Sequence, residues 1–126
     1  MFYKNKNMNT VVDTLIGPNS LIDGDLNFSG GCHIDGEVVG NLNADPETKS
    51  VLSISDIGKI DGSVTVPYVM LNGAVKGDIH ASQRIELGAT ARVYGDVYYN
   101  LIQMAEGAEI NGKLIHYPGG KTPNNE

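Results

Sequence analysis

Three histidines, one cysteine and several aspartates beside glycines are the residues of this chain best suited to chemistry. Three imidazoles can hold a zinc ion and leave one position open for a reactive water. His33, His80 and His116 are 47 and 36 residues apart, with no paired ligand spacing. They read as lone surface side chains. Cys32 is the single cysteine, so no internal disulfide forms, which fits a reducing cytoplasm. No activating partner for it is evident, and no Ser/His/Asp constellation stands out. A Gly-rich Lys-Ser/Thr phosphate loop is absent, so nucleotide hydrolysis is not expected. Asp23, Asp25, Asp35, Asp61, Asp78 and Asp96 adjoin glycines, which is turn chemistry first. The Gly-Gly-x-Gly-x-Asp repeat of calcium-binding β-rolls is missing. No catalytic, cofactor-binding or metal-ligating residue is assigned.

The elements that would position any such residue are short. The 126 residues suit one domain, and 40% of them are hydrophobic against 19% charged, which argues against a disordered chain. No apolar run approaches 18 residues, and the N-terminus lacks the apolar stretch of a secretory signal. A net charge of −6 disfavours nucleic acid as a partner. From Gly58 to Gly120 no glycine-free stretch exceeds eleven residues. Each interior glycine costs a helix roughly 1 kcal/mol relative to alanine. Between the glycines lie Val- and Ile-rich pieces of period two, such as Leu52-Ser53-Ile54, Val64-Thr65-Val66 and Ile85-Glu86-Leu87. The chain reads as all-β.

One pattern recurs: aliphatic, any residue, Gly, any residue, aliphatic. It stands at Ile22–Leu26, Ile34–Val38, Ile60–Val64, Val75–Ile79, Val93–Val97 and Ile110–Leu114. The later glycines, Gly62, Gly77, Gly95 and Gly112, are 15, 18 and 17 residues apart. The longer step from Gly40 to Gly62 contains the polar insert 45–50, read as a loop bulging from one turn. Asp-Gly and Asn-Gly between aliphatics also suit hairpins in an antiparallel sandwich or barrel. Hairpin strands would be longer, however, and here the glycine sits in phase between two aliphatics. All three side chains would then point to one face, into a narrow interior. Aliphatics also step by six along the chain: Ile54, Ile60, Val66; Ile79, Ile85, Ala91, Val97; Ile102, Ala108, Leu114. A coil of ~17 residues with three short sides fits both rhythms. The expected fold is a single-stranded, three-sided, right-handed parallel β-helix of about six coils, a rod roughly 30 Å long.

The chain from about Thr14 to Ile115 resembles the bactofilins, bacterial cytoskeletal proteins with such a β-helix. The resemblance rests on Thr14-Leu15-Ile16-Gly17 before the first coil and on Ile-Asp-Gly-Glu-Val at 34–38. It rests also on the Gly-Asp-Ile/Val elements at 77–79 and 95–97, and on the Met1-Phe2-Tyr3-Lys4 tail. Two departures are the insert at 45–50 and Tyr117, where family members often place a phenylalanine. The resemblance implies spontaneous polymerisation, without nucleotide, into non-polar filaments. It implies a scaffold for cell-shape and cell-wall machinery on the cytoplasmic face of the inner membrane.

Elementary physics adds where the contacts lie. An uncapped β-helix end exposes unpaired backbone groups and an apolar cross-section, and a second end can cover both. The expected N-terminal surface is Leu15, Ile16, Leu21 and Ile22. The expected C-terminal surface is Leu101, Ile102, Ile110, Leu114, Ile115 and Tyr117. Residues 15–117 hold 13 acidic and 6 basic side chains, so salt should favour bundling of like-charged rods. Residues 1–14 break the repeat and read as a flexible tail. In it Met1, Phe2, Tyr3, Lys4 and Lys6 would touch anionic lipid. Residues 118–126 lack periodic apolar positions and read as disordered.

Two other functions compete. A trimeric hexapeptide-repeat enzyme, an acyltransferase or a zinc-dependent one, would use histidines between subunits. Its left-handed signature places glycine directly after the aliphatic; Ile57-Gly58 and Leu87-Gly88 fit, but most repeats have the glycine two residues later. A monomeric binding module would show a threonine or aromatic ladder. Thr48, Thr65 and Thr90 form none, while Tyr68, Tyr94, Tyr98 and Tyr99 form either an exposed patch or inter-coil packing.

Overall fold

The computed structural model describes residues 11–117, and every regular element among them is a strand. The first coil holds β1 (Val12–Ile16), β2 (Leu21–Asp23) and β3 (Leu26–Asn27). The second holds β4 (Gly31–Ile34), β5 (Glu37–Val39) and β6 (Leu42–Asn43). The third holds β7 (Val51–Ile54), β8 (Lys59–Asp61) and β9 (Val64–Thr65). The fourth holds β10 (Tyr68–Leu71), β11 (Ala74–Lys76) and the first part of β12 (Ile79–Leu87). The rest of β12, β13 (Arg92–Tyr94) and the first part of β14 (Val97–Met104) form the fifth. The rest of β14, β15 (Glu109–Asn111) and β16 (Leu114–His116) form the sixth.

All pairings are parallel and join equivalent arms of successive coils. Three faces result. Face one stacks β1, β4, β7, β10 and the second parts of β12 and β14. Face two stacks β2, β5, β8, β11, β13 and β15. Face three stacks β3, β6, β9, the first parts of β12 and β14, and β16. This is the parallel β-solenoid expected from the repeat. Its first strand begins at Val12, so it takes in three residues that sequence assigned to the tail.

The period-two pieces become arms with one side inward. Ile34, Val38, Leu42, Leu52, Ile54, Val64, Val69, Leu71, Val75, Ile79, Ile85, Val93 and Val97 are wholly buried and form one continuous core. The six-residue series lands there too, since Ile60, Val66 and Ala91 fill the same interior. Insert 45–50 leaves the wall between β6 and β7. Its turn is closed by the Thr48 N–H to the Asp45 carbonyl at 3.1 Å, and Ser50 Oγ accepts from the Gly30 N–H at 3.1 Å.

The repeated glycine sits elsewhere than expected. Its two flanking aliphatics do point inward, but on different faces: Ile22 lies on face two and Leu26 on face three. The glycine between them turns the corner. Gly77, for example, has φ +153°, a region L side chains rarely adopt. A Cβ there would also collide with the carbonyl of Gly62 one coil below. The excluded space is thus the stacked backbone of a corner, not the interior. The next residue completes that corner. Side-chain oxygens of Asp25, Asn41, Asp78 and Asp96 accept the backbone N–H of Asn41, Ser63, Asp96 and Lys113, at 2.9, 2.9, 2.8 and 2.9 Å. The Gly-Asp repeat is therefore a hydrogen-bonded column between coils.

Gly24 and Gly77 separate the two costs. Both have positive φ, but a Cβ at Gly24 meets nothing within 4 Å because no coil lies below it. Gly24→Ala should lose only the backbone term, about 1–3 kcal/mol. Gly77→Ala should lose clearly more, because the wall must open, as a denaturant midpoint measured on both variants will show.

Candidate polymerisation surfaces

Strand alternation decides which terminal residues face an end and which face the flank. In the fifth and sixth coils Leu87 pairs with Met104, Val93 with Ile110 and Val97 with Leu114. Leu87 is 2% exposed and Val97 0%, whereas Met104 is 42% and Leu114 47%. The positions are equivalent, and only the missing next coil differs. The C-terminal cross-section is therefore Ile102, Met104, Ala108, Ile110 and Leu114. By the same registers the N-terminal cross-section is Ile16, Ile22, Leu26 and Phe28, but it is less open than the other end: Ile16 is 8% exposed and the other three are partly buried.

Five of the ten residues expected at the ends, Ile16, Ile22, Ile102, Ile110 and Leu114, lie in these cross-sections. Leu15, Leu21 and Leu101 are 60%, 61% and 54% exposed, but they pair with the outward His33, Glu37 and Arg84. They rim the ends from outside. Ile115 pairs with the outward Tyr98 and lies on face three. Tyr117 is only 4% exposed. Its hydroxyl is 2.9 Å from His80 Nδ1 and its ring centre 5.6 Å from that of Tyr98, so it closes over face three rather than an end. Met104, Ala108, Leu26 and Phe28 were missed. The sequence signal for them was the aliphatic row one coil inward, read through the pairing register.

The outermost strands also leave open ladder edges: among the described residues β1, β2, β3, the Leu101–Met104 part of β14, β15 and β16 each pair on one side only. Met104 and Leu114 are already more than half buried, so covering the rest of each is worth about half of the roughly 1.5–3 kcal/mol of a full burial. Association costs about 4–15 kcal/mol in lost rigid-body freedom. Side chains alone do not carry such a joint, so continuation of three backbone ladders has to contribute. Met1, Phe2, Tyr3, Lys4 and Lys6 lie outside the described residues.

The polar residues take structural places. His33 is 5% exposed, not a surface side chain: Nδ1 lies 3.2 Å from Ser53 Oγ and Nε2 lies 3.0 Å from Asp35 Oδ1. This Ser–His–Asp chain was invisible in sequence because Ser53 reaches His33 only through the pairing of β7 with β4. His80 stands on face three, stacked on Tyr98 with ring centres 4.3 Å apart, and His116 lies beside Tyr99. Among the described residues no group of three His, Cys, Asp or Glu side chains is placed to hold a metal ion. Cys32 is buried, and that burial pushes its thiol up to about 11, away from reactivity. The tyrosines form no single patch: Tyr68 is on face one, Tyr94 on face two, Tyr98 and Tyr99 on face three.

Residues 14–115 match the family model described as bactofilin, polymer-forming cytoskeletal. The chain belongs to the bactofilin family. It is 30% identical over 104 residues to bactofilin BacO of Myxococcus xanthus, covering 82% of this chain and 79% of that protein. It is 28% identical over 104 residues to bactofilin BacP of the same organism, of which it spans 42%. Its fold matches a bactofilin of Thermus thermophilus solved by cryo-EM as double helical filaments. The TM-score is 0.66 and the identity 25%, over 82% of this chain and 99% of that one.

In this bactofilin Leu114→Arg and Met104→Arg place a cation inside the C-terminal cross-section. Both should leave the β-spectrum intact and abolish long polymers in electron micrographs. Leu101→Arg, on the rim, should shorten them less. A separate prediction concerns His80, whose pKa is lowered from 6.5 by burial, against an opposing pull from Asp78. A folded-state pKa below the unfolded one means that stability is complete above about 6.5 and falls as pH drops toward the folded value. Between about pH 7.5 and 5 the denaturation midpoint should fall less in His80→Gln than in the parent.

Proposed function

We propose that this bactofilin is a nucleotide-independent scaffold whose copies join end to end and bind the inner membrane through their N-terminal tails. The observation that carries the joint is the exposure step at equivalent positions, from 0% at Val97 to 47% at Leu114. An apolar cross-section bounded by open ladder edges is satisfied best by another such cross-section. Filaments of this kind are non-polar when like ends meet like, and the family resemblance favours that arrangement. No nucleotide is needed because burial and backbone pairing are both downhill once the ends meet.

Phe2 and Tyr3 at the start of the chain suit a lipid interface, and Lys4 and Lys6 suit anionic headgroups, at about 1 kcal/mol each. A single tail binds weakly, but a filament presents many and gains avidity. The polymer then recruits cell-shape or cell-wall machinery on the cytoplasmic side. A hexapeptide-type enzyme is the weaker reading, since His33 and His80 occupy different faces and are held by Ser53, Asp35 and Tyr117.

Purified protein without nucleotide should give filaments by negative stain. Removing residues 1–6, or Phe2→Ala, should release it from anionic liposomes in co-sedimentation while filaments persist. Equal sedimentation of the truncated form would exclude the tail as the membrane contact.

A further inference from the structure

Face three differs from the other two in charge. Face two carries Asp23, Glu37, Lys59, Asp61, Lys76, Arg92 and Glu109 on its strands. Face one carries Asp13, Arg84 and Glu86, the last two ion-paired at 2.8 Å. The strand residues of face three include no Asp, Glu, Lys or Arg. Its outward row runs Asn27, Asn43, Thr65, His80, Tyr98, Ile115, one residue per coil. Burial holds the pKa of His80 below its ordinary value, so this row stays neutral.

We infer that face three is the lateral contact between two copies of this chain, lying face to face and pointing the same way. The inference rests on the polymer reading above and names the surface through which polymers pair. A contact between identical acidic rods juxtaposes like charges unless the shared patch is neutral. A basic partner would instead seek the acidic residues of face two, and a lipid surface would want cations, which face three lacks. The open part of the row, Asn27, Asn43 and Thr65, is also self-complementary, since amides and hydroxyls both donate and accept, while the Tyr98–His80 stack is already covered by the chain's own Tyr117. At about 4.8 Å per coil the stripe is roughly 29 Å long in each copy. Where end-to-end joining keeps face three on one side of the filament, a weak contact per copy is multiplied.

The edges of the face choose the direction. One edge is the corner with Asp25, Asn41, Ser63, Asp78, Asp96 and Lys113. The other carries the insert with Asp45, Glu47 and Lys49, between the second and third coils. A two-fold axis across the rods would set the aspartate corner against itself. A two-fold axis along the rods sets it against the opposite edge. The charged insert then meets the partner at the height of Asn41 and Ser63, the uncharged positions of that corner.

The experiment is filament width against length, with a cross-linking arm. Thr65→Glu, at the exposed middle of the row, should keep filament length and reduce paired filaments to single ones. Ala74→Glu on face two and Met70→Glu on face one should leave width unchanged. Thr65→Cys treated with a short bis-maleimide should give a covalent dimer, and Ala74→Cys should give none. Asn27→Cys should likewise cross-link to itself. Unchanged width in Thr65→Glu, equal loss in Met70→Glu, or cross-linking at position 74 but not 65 would overturn the inference. Absence of filaments in the parent protein refutes end joining alone, because the dimer cross-link at position 65 reads the lateral contact independently.

Discussion

The structure depends on one repeated contact, backbone against backbone at the corner between faces two and three. There Gly40, Gly62, Gly77, Gly95 and Gly112 each lie on the carbonyl of the corner glycine of the coil before. No side chain fits between them. The close approach holds successive coils at sheet spacing, and it lets the oxygens of Asp25, Asn41, Asp78 and Asp96 reach the next backbone N–H. Once that spacing is imposed, the inward positions of every arm stack in columns. Three columns of aliphatics then fill an interior that a chain of this size could not otherwise close.

The same contact leaves the C-terminal end open. A column of stacked coils has no internal device for stopping, because each coil satisfies the one below and needs one above. Leu87 and Met104 occupy the same inward column, yet 2% of one and 42% of the other is open to solvent. The difference is not one of residue type, since Met is as apolar as the position demands. It comes from the absence of a seventh coil among the described residues. Burial in the middle and exposure at the C-terminal end are therefore one property seen at two places along the rod.

Much of the fold was legible because the repeat is written in residue types with narrow conformational use. Glycine between two aliphatics marked five corners of one column, at Gly24, Gly62, Gly77, Gly95 and Gly112, while Gly36 marked the corner between faces one and two, and six-residue steps marked the interior. Parity at the ends was less legible. Leu15, Leu21 and Leu101 are as aliphatic as Ile16, Ile22 and Ile102, and one residue of strand phase separates rim from cross-section. Phase is set by the register with the neighbouring coil, which the insert at 45–50 and the unequal corner turns obscure. Met104 and Phe28 fell outside the aliphatic pattern for the same reason. Contacts between coils were wholly hidden: His33 meets Ser53 twenty residues away, and Tyr117 meets His80 thirty-seven residues away. No local spacing encodes either pair.

Charge placement then separates the uses of the three faces. Face two mixes four acidic with three basic strand residues and stays solvated at little cost. Removing such a face from water would desolvate each of those charges, with only partial compensation from a partner. Face three carries none on its strands, so its desolvation concerns amides, hydroxyls and rings that pair among themselves. Tyr117 deepens the contrast, because its ring covers His80 and Tyr98 and its backbone N–H reaches the Tyr99 carbonyl at 2.6 Å. The last described residue thus lies along the flank of face three, and the cross-section of Ile102, Met104, Ile110 and Leu114 keeps its exposure. Tyr117, expected at the C-terminal surface, lies against His80 and Tyr98 instead.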